Sequence, residues 1–143
     1  MRNRIIKEIG QFPLLNEPHK HTFPPGIIVV KYGEHRGANR GFGAAHILAE
    51  HTADLNRHNL PCDEEGVCLY VKMILQPGAG IHCEFSNMRG FHRPMVVRFR
   101  LGTVVLERQE RDGLTTYSVV TAFGGTMARG TKIGTMPRQN KST

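Results

Sequence analysis

The chain has 143 residues, enough for one domain with its own core and short for two. Lys and Arg number 19 against 12 Asp and Glu, a net charge of +7 with histidine neutral, which suits a polyanion such as nucleic acid better than a neutral partner. The longest mainly apolar stretches, 26–30 and 67–75, are far below the roughly 20 residues that a membrane-spanning helix needs, so no membrane partner is expected.

The three cysteines, Cys62, Cys68 and Cys83, are odd in number and form no C-x-x-C pair, which excludes a disulfide framework. Cys68, set among apolar residues, reads as a core thiol. The N-terminus has no signal-peptide apolar core, so the expected site of action is the cytoplasm. In chain order, Ile5, Ile6 and Ile9 stand at helical spacing before Pro13, Pro18, Pro24 and Pro25, which predicts a helix and extended arm over 1–25. Residues 26–32 are β-branched and follow Pro-Gly, so a strand is expected. Residues 33–43 form a loop rich in Gly and Arg, where backbone freedom permits close approach to a ligand. Ala44, Leu48 and Leu55 form one stripe with Ile47 beside it, predicting a helix over 43–58. Asp63 is a good N-cap for a second helix ending at Pro77-Gly78, although Val and Tyr also allow a strand over 67–75.

The second half changes to a period of two. Strands are predicted at 80–85, 94–100, 103–109 and 114–123, with tight turns at Leu101-Gly102 and Arg111-Asp112-Gly113. Residues 124–143 read as a Gly- and Thr-rich basic tail, mobile over 136–143. The expected fold class is α+β: N-terminal helices packed on an antiparallel β-sheet meander, in a single domain over 1–143.

Eight histidines are many for this length. His46 and His51 fall on the first predicted helix about 140° apart, which rules out a zinc-protease i, i+4 pair. His46 lies between Ala45 and Ala49, small neighbours that leave room for a reacting imidazole. His51, near the apolar stripe, is equally well read as a hydrogen-bonded structural histidine. The Gly/Arg loop leads into this helix, so a phosphate there would meet Arg36, Arg40 and the helix N-terminus. Strict alternation places Arg98 and Arg100 on one face of their strand. It groups Thr115, Tyr117, Val119, Thr121 and Phe123 on one face of theirs. Arg98 and Thr121 could then hold a phosphate, or simply belong to a wet sheet face. Arg100, Tyr117, Arg129 and Lys132 are further candidates for RNA contact. His19 and His21 form an H-x-H pair and His82 and His92 flank a loop, but no acidic residue stands at a useful spacing. No metal or other cofactor is expected.

The run GEHRGANRGFGAAHILAEH at 33–51 resembles the "G…HI…H" helix of small nuclease domains in bacterial toxins and phage-associated proteins, the barnase–EndoU–colicin–RelE (BECR) group. Tyr117-Ser118-Val119-Val120-Thr121-Ala122-Phe123 is similar to the terminal strand of such toxins. The resemblance covers residues 27–135. It implies metal-independent cleavage of RNA, often tRNA, by attack of the ribose 2′-hydroxyl to leave a 2′,3′-cyclic phosphate and a 5′-hydroxyl. It also implies an immunity protein as partner and delivery from a secreted or cell-surface effector, as in contact-dependent growth inhibition. Carried over by position, His46 and His51 match the motif histidines and Thr121 the strand threonine, while Arg98 follows from its strand's place in the meander. On that basis His46 is base or acid, Arg98 clamps the phosphorane, Thr121 donates a hydrogen bond and His51 completes or orients the pair. A non-catalytic RNA- or DNA-binding module also explains the charge, yet 7% aromatic content without Trp is poor material for base stacking. A nucleotide-dependent transferase would need cofactor features that the sequence lacks.

Overall fold

The first element of the chain is a strand, β1 (Ile5–Phe12), where a helix was expected. The computed structural model describes residues 1–16, 22–38, 40–84, 95–125 and 130–138; Arg129, His19, His21 and His92 lie outside the described residues, as do 126–129 and 139–143 of the predicted tail. β1 pairs antiparallel with β4 (Gly26–Lys31), and its register shifts twice, between Ile5 and Lys7 and between Glu8 and Gly10. Each bulge inserts a residue, so buried Ile9 and Phe12 stand three apart instead of two. The two shifts fall at Ile6 and Ile9, so the helical spacing of Ile5, Ile6 and Ile9 is the spacing of a bulged strand. The arm after β1 holds two short strands, β2 (Leu15–Asn16) and β3 (Thr22–Phe23), which pair with each other.

The Gly/Arg loop is a hairpin, β5 (Glu34–Gly37) and β6 (Arg40–Phe42). The single helix expected over 43–58 is two, α1 (Gly43–Glu50) and α2 (Thr52–Arg57), broken at His51, whose φ of −129° and ψ of 27° leave helical space. α3 (Glu64–Ile74) begins as the sequence indicates: the Asp63 carboxylate accepts from the Gly66 amide at 2.8 Å, with Glu64 and Glu65 in the first turn facing the positive end of the helix dipole.

The second half supplies β7 (Gly80–Cys83), β8 (Met95–Phe99), β9 (Gly102–Arg111), β10 (Leu114–Phe123) and β11 (Thr131–Thr135). Asp112 and Gly113 have φ of 52° and 79°, the two positive values of a tight hairpin turn whose twist matches its strands. β11 forms within the segment read as a tail and closes the edge beside β7. The resulting seven-stranded sheet has the order β1-β4-β10-β9-β8-β7-β11, antiparallel throughout except for the parallel pair β4 and β10. The molecule is thus an α+β fold with a large, mostly antiparallel sheet and three helices among the described residues.

The helices contribute Ala44, Ile47, Leu55, Val67, Tyr70, Val71 and Ile74 to a core shared with Val97, Val104, Leu106, Tyr117, Val119 and Ala122 of the sheet. Each Val, Leu and Ile among them contributes about 1.5–3 kcal/mol by leaving water. A bulge in β10 between Val119 and Thr121 reorganises what lies on either side of it. Val119 opposes Leu106 and Ala122 opposes Val104, so both face the core. Thr121 and Phe123 consequently turn to the opposite face, where Ser118 also points. The strict alternation that grouped Tyr117, Val119, Thr121 and Phe123 does not survive this extra residue.

Candidate functional site

The hairpin β5–β6 exists because glycine stands where two backbones touch. His35 pairs with Gly41, whose φ is 138°, and a Cβ there would strike the carbonyl of Glu34. Alternation then sends Glu34 and Arg36 to one side of β5 and His35 to the other.

On the Glu34 side lies a groove of about 590 Å³ between the hairpin and the sheet. Arg36, Arg40 and Phe42 line it from the hairpin, and Glu107, Gln109, Ser118 and Val120 from β9 and β10. The Glu34 carboxylate meets Arg36 at 2.6 Å and Arg2 at 3.3 Å. The Arg36 hydrogen bond holds that carboxyl below its ordinary range. Lys31 donates to Gln109 at 2.7 Å and Gln109 donates to Glu107 at 3.1 Å, so the sheet floor is a fixed polar relay. Buried Ser118 presents a hydroxyl with no hydrogen-bond partner among the described residues.

On the other side His35 faces α1, which packs against β5, β6 and β10. The Ala45 amide donates to the Tyr32 carbonyl at 2.8 Å and ties the helix start to the end of β4. His35 Nδ1 lies 3.2 Å from His46 Nδ1. Glu50, one turn after His46, places Oε1 3.9 Å from His46 Nε2 and Oε2 3.8 Å from His35 Nδ1. Two ring nitrogens at 3.2 Å attract only when one carries the proton and the other a lone pair. With His35 Nδ1–H donating, His46 accepts at Nδ1, turns its Nε2–H toward Glu50, and leaves the His35 Nε2 lone pair outward. This tautomer assignment follows from the contacts. The His46 side chain is 4% exposed, whereas that of His35 is 32% exposed.

The break at His51 makes that ring a second accessible imidazole, 23% exposed. It meets His46 edge-on at 6.2 Å between centroids and Phe123 at 5.8 Å. Its Nδ1 lies 3.7 Å from Asp54, which also holds Arg57 at 3.2 Å. Thr121 shares the Phe123 side of β10, and its buried hydroxyl has no hydrogen-bond partner among the described residues. Groove-lining Val120 is its chain neighbour, so the Arg-lined groove and the histidine row are about 10 Å apart along one strand.

The structure thus brings His35, His46, Glu50 and His51 together, sets Thr121 two residues before the Phe123 that meets His51, and places Arg36 and Arg40 in the adjoining groove. Sequence reasoning missed His35 because its link to His46 depends on a hairpin whose closure no periodicity reveals, and Glu50 because its role depends on that link. The i, i+4 spacing of His46 and Glu50 was the one available signal. Arg98 shares the sheet face of Phe123 through Thr103, two strands away or about 10 Å, and its guanidinium lies 3.4 Å from His82 Nε2. Arg100 is an exposed turn residue over the Phe99 ring. Tyr117, expected to touch RNA, is fully buried, stacks on Phe12 at 4.0 Å and donates to the Pro24 carbonyl at 2.7 Å. Burial pushes its phenol far above the ordinary value. Lys132 is exposed on the edge strand opposite His82. No family model, curated protein or solved structure matches the chain.

Proposed function

We propose that this protein is a metal-independent endoribonuclease with a BECR-like arrangement, cutting RNA, and tRNA foremost, by transesterification. The observation that carries the reading is a pair of accessible imidazoles, His35 and His51, each backed at Nδ1 and each beside buried His46. Backing at Nδ1 directs Nε2 of both rings toward a substrate. His35 Nε2 takes the ribose 2′-hydroxyl proton, the 2′-oxygen attacks phosphorus, and the bond to the 5′-oxygen breaks as His51 supplies its proton. The products are a 2′,3′-cyclic phosphate and a 5′-hydroxyl. His46 and Glu50 act through His35, fixing its tautomer and stabilising the imidazolium. Thr121 donates to a phosphoryl oxygen as negative charge grows there. Arg36 and Arg40 hold the incoming strand in the groove, and Arg98 meets a phosphate further along the same face.

The +7 charge favours both the RNA and an acidic immunity partner, and the site of action is the cytoplasm of the cell that supplies the RNA. Incubating the protein with total RNA in EDTA, beside His35→Ala, tests the reading. Fragments ending in a cyclic phosphate that vanish in the variant support it. Intact RNA bound by both proteins would establish a non-catalytic RNA-binding module instead.

A further inference from the structure

We propose that His35, His46 and Glu50 form a binding site for a zinc-class divalent ion, and that filling it silences the RNA chemistry; the silencing, unlike the site, rests on the ribonuclease reading above. One ligand atom from each residue lies within 4.8 Å of the others. Two donors bound tetrahedrally at about 2.0–2.1 Å stand roughly 3.3 Å apart, and the two Nδ1 atoms stand at 3.2 Å. Glu50 Oε2 stands 3.8 Å from His35 Nδ1, so a small side-chain shift brings the carboxylate in as the third corner. The donors are also held in place. His46 and Glu50 project from adjacent turns of α1, and the glycine-dependent hairpin fixes His35. The exposed flank of His35 leaves the fourth position open to water.

Two imidazoles and one carboxylate select zinc, cobalt or nickel over calcium or magnesium, which prefer oxygen-only shells. Ion binding requires lone pairs at both Nδ1 atoms. The proton shared between them leaves Nδ1 of His35, and the neutral ring keeps its proton at Nε2 instead. His35 Nε2 then carries N–H and has no lone pair to accept the 2′-hydroxyl proton. Occupancy and base function are therefore mutually exclusive.

Cobalt(II) and zinc titrations of the metal-free protein, read by visible absorption and calorimetry, test the site separately from activity. One ion per chain, tetrahedral cobalt bands, and at least tenfold weaker binding in both His35→Ala and Glu50→Gln are expected. Zinc should also suppress cleavage in proportion to occupancy, with EDTA restoring it. Binding unchanged in both variants but lost in Cys62→Ser would overturn the site. Cleavage that rises with zinc would overturn the silencing. Cobalt held by these three residues in a protein that leaves RNA intact in EDTA would uphold the site and overturn the ribonuclease reading.

Discussion

Two regions of this molecule hold histidine among charged neighbours, and they are built in opposite ways. His35, His46 and His51 lie among carboxylates, Glu50 and Asp54, at the junction of the hairpin, α1 and the end of β10. His82 lies on the sheet, nearly buried, beside the Arg98 guanidinium and opposite Lys132. Burial first, and the Arg98 charge second, hold the His82 imidazole below its ordinary value of 6.5. A carboxylate neighbour favours the charged form of an imidazole and a cationic neighbour the neutral form. The side chain is the same in both places, and its neighbours assign the role.

That contrast can be broken most sharply at His35. Its replacement by Ala should lower kcat/KM for RNA by about 10²–10⁴-fold, the usual worth of a positioned base. Because the buried His46 Nδ1 loses its donor, stability should fall by about 1–3 kcal/mol by denaturant titration while the protein stays folded. Loss of folding instead of activity would make His35 a structural residue and erase the distinction.

Thr121→Val comes next. If the hydroxyl serves only the phosphorane, cleavage should fall by about 10²-fold in single-turnover assays. Thermal stability should hold or rise, since a buried hydroxyl without a partner among the described residues is replaced by a methyl of similar shape. Unchanged cleavage would remove Thr121 from the site.

Arg40→Ala should weaken RNA binding similarly across sequences and lower the slope of log K against log salt by about one, as measured by filter binding at several salt concentrations. The groove would be no RNA path if that slope stayed the same.

The smallest effect belongs to His82. A lowered native value means that the unfolded chain takes up the proton first as pH falls below about 6.5. The stability contributed by neutral His82 is therefore complete above that pH and is lost on acidification through the folded-state value. His82→Gln should flatten the dependence of the melting temperature on pH between about 7.5 and 5.5. An unaltered slope would show that the pH response arises elsewhere and weaken the contrast between the two regions.

Much of the architecture is local, and so it could be read along the chain. The Asp63 cap, the stop before Pro77, the turn at Asp112-Gly113 and the β-branched runs of β4 and β8–β10 each follow from the preferences of a few neighbouring residues. His46, His51 and Thr121 were singled out through short motifs, which are local in the same way. The α+β class, the basic charge and the core thiol of Cys68 needed only composition and period. Tertiary structure decided the rest, because it depends on contacts between residues distant in sequence. Bulges against β4 made a strand of the apparent N-terminal helix, and the bulge against β9 turned Thr121 away from Tyr117. Pairing with β7 drew a strand from the apparent tail. Closure of a glycine hairpin brought His35 onto His46, a partnership that spacing along one element cannot express.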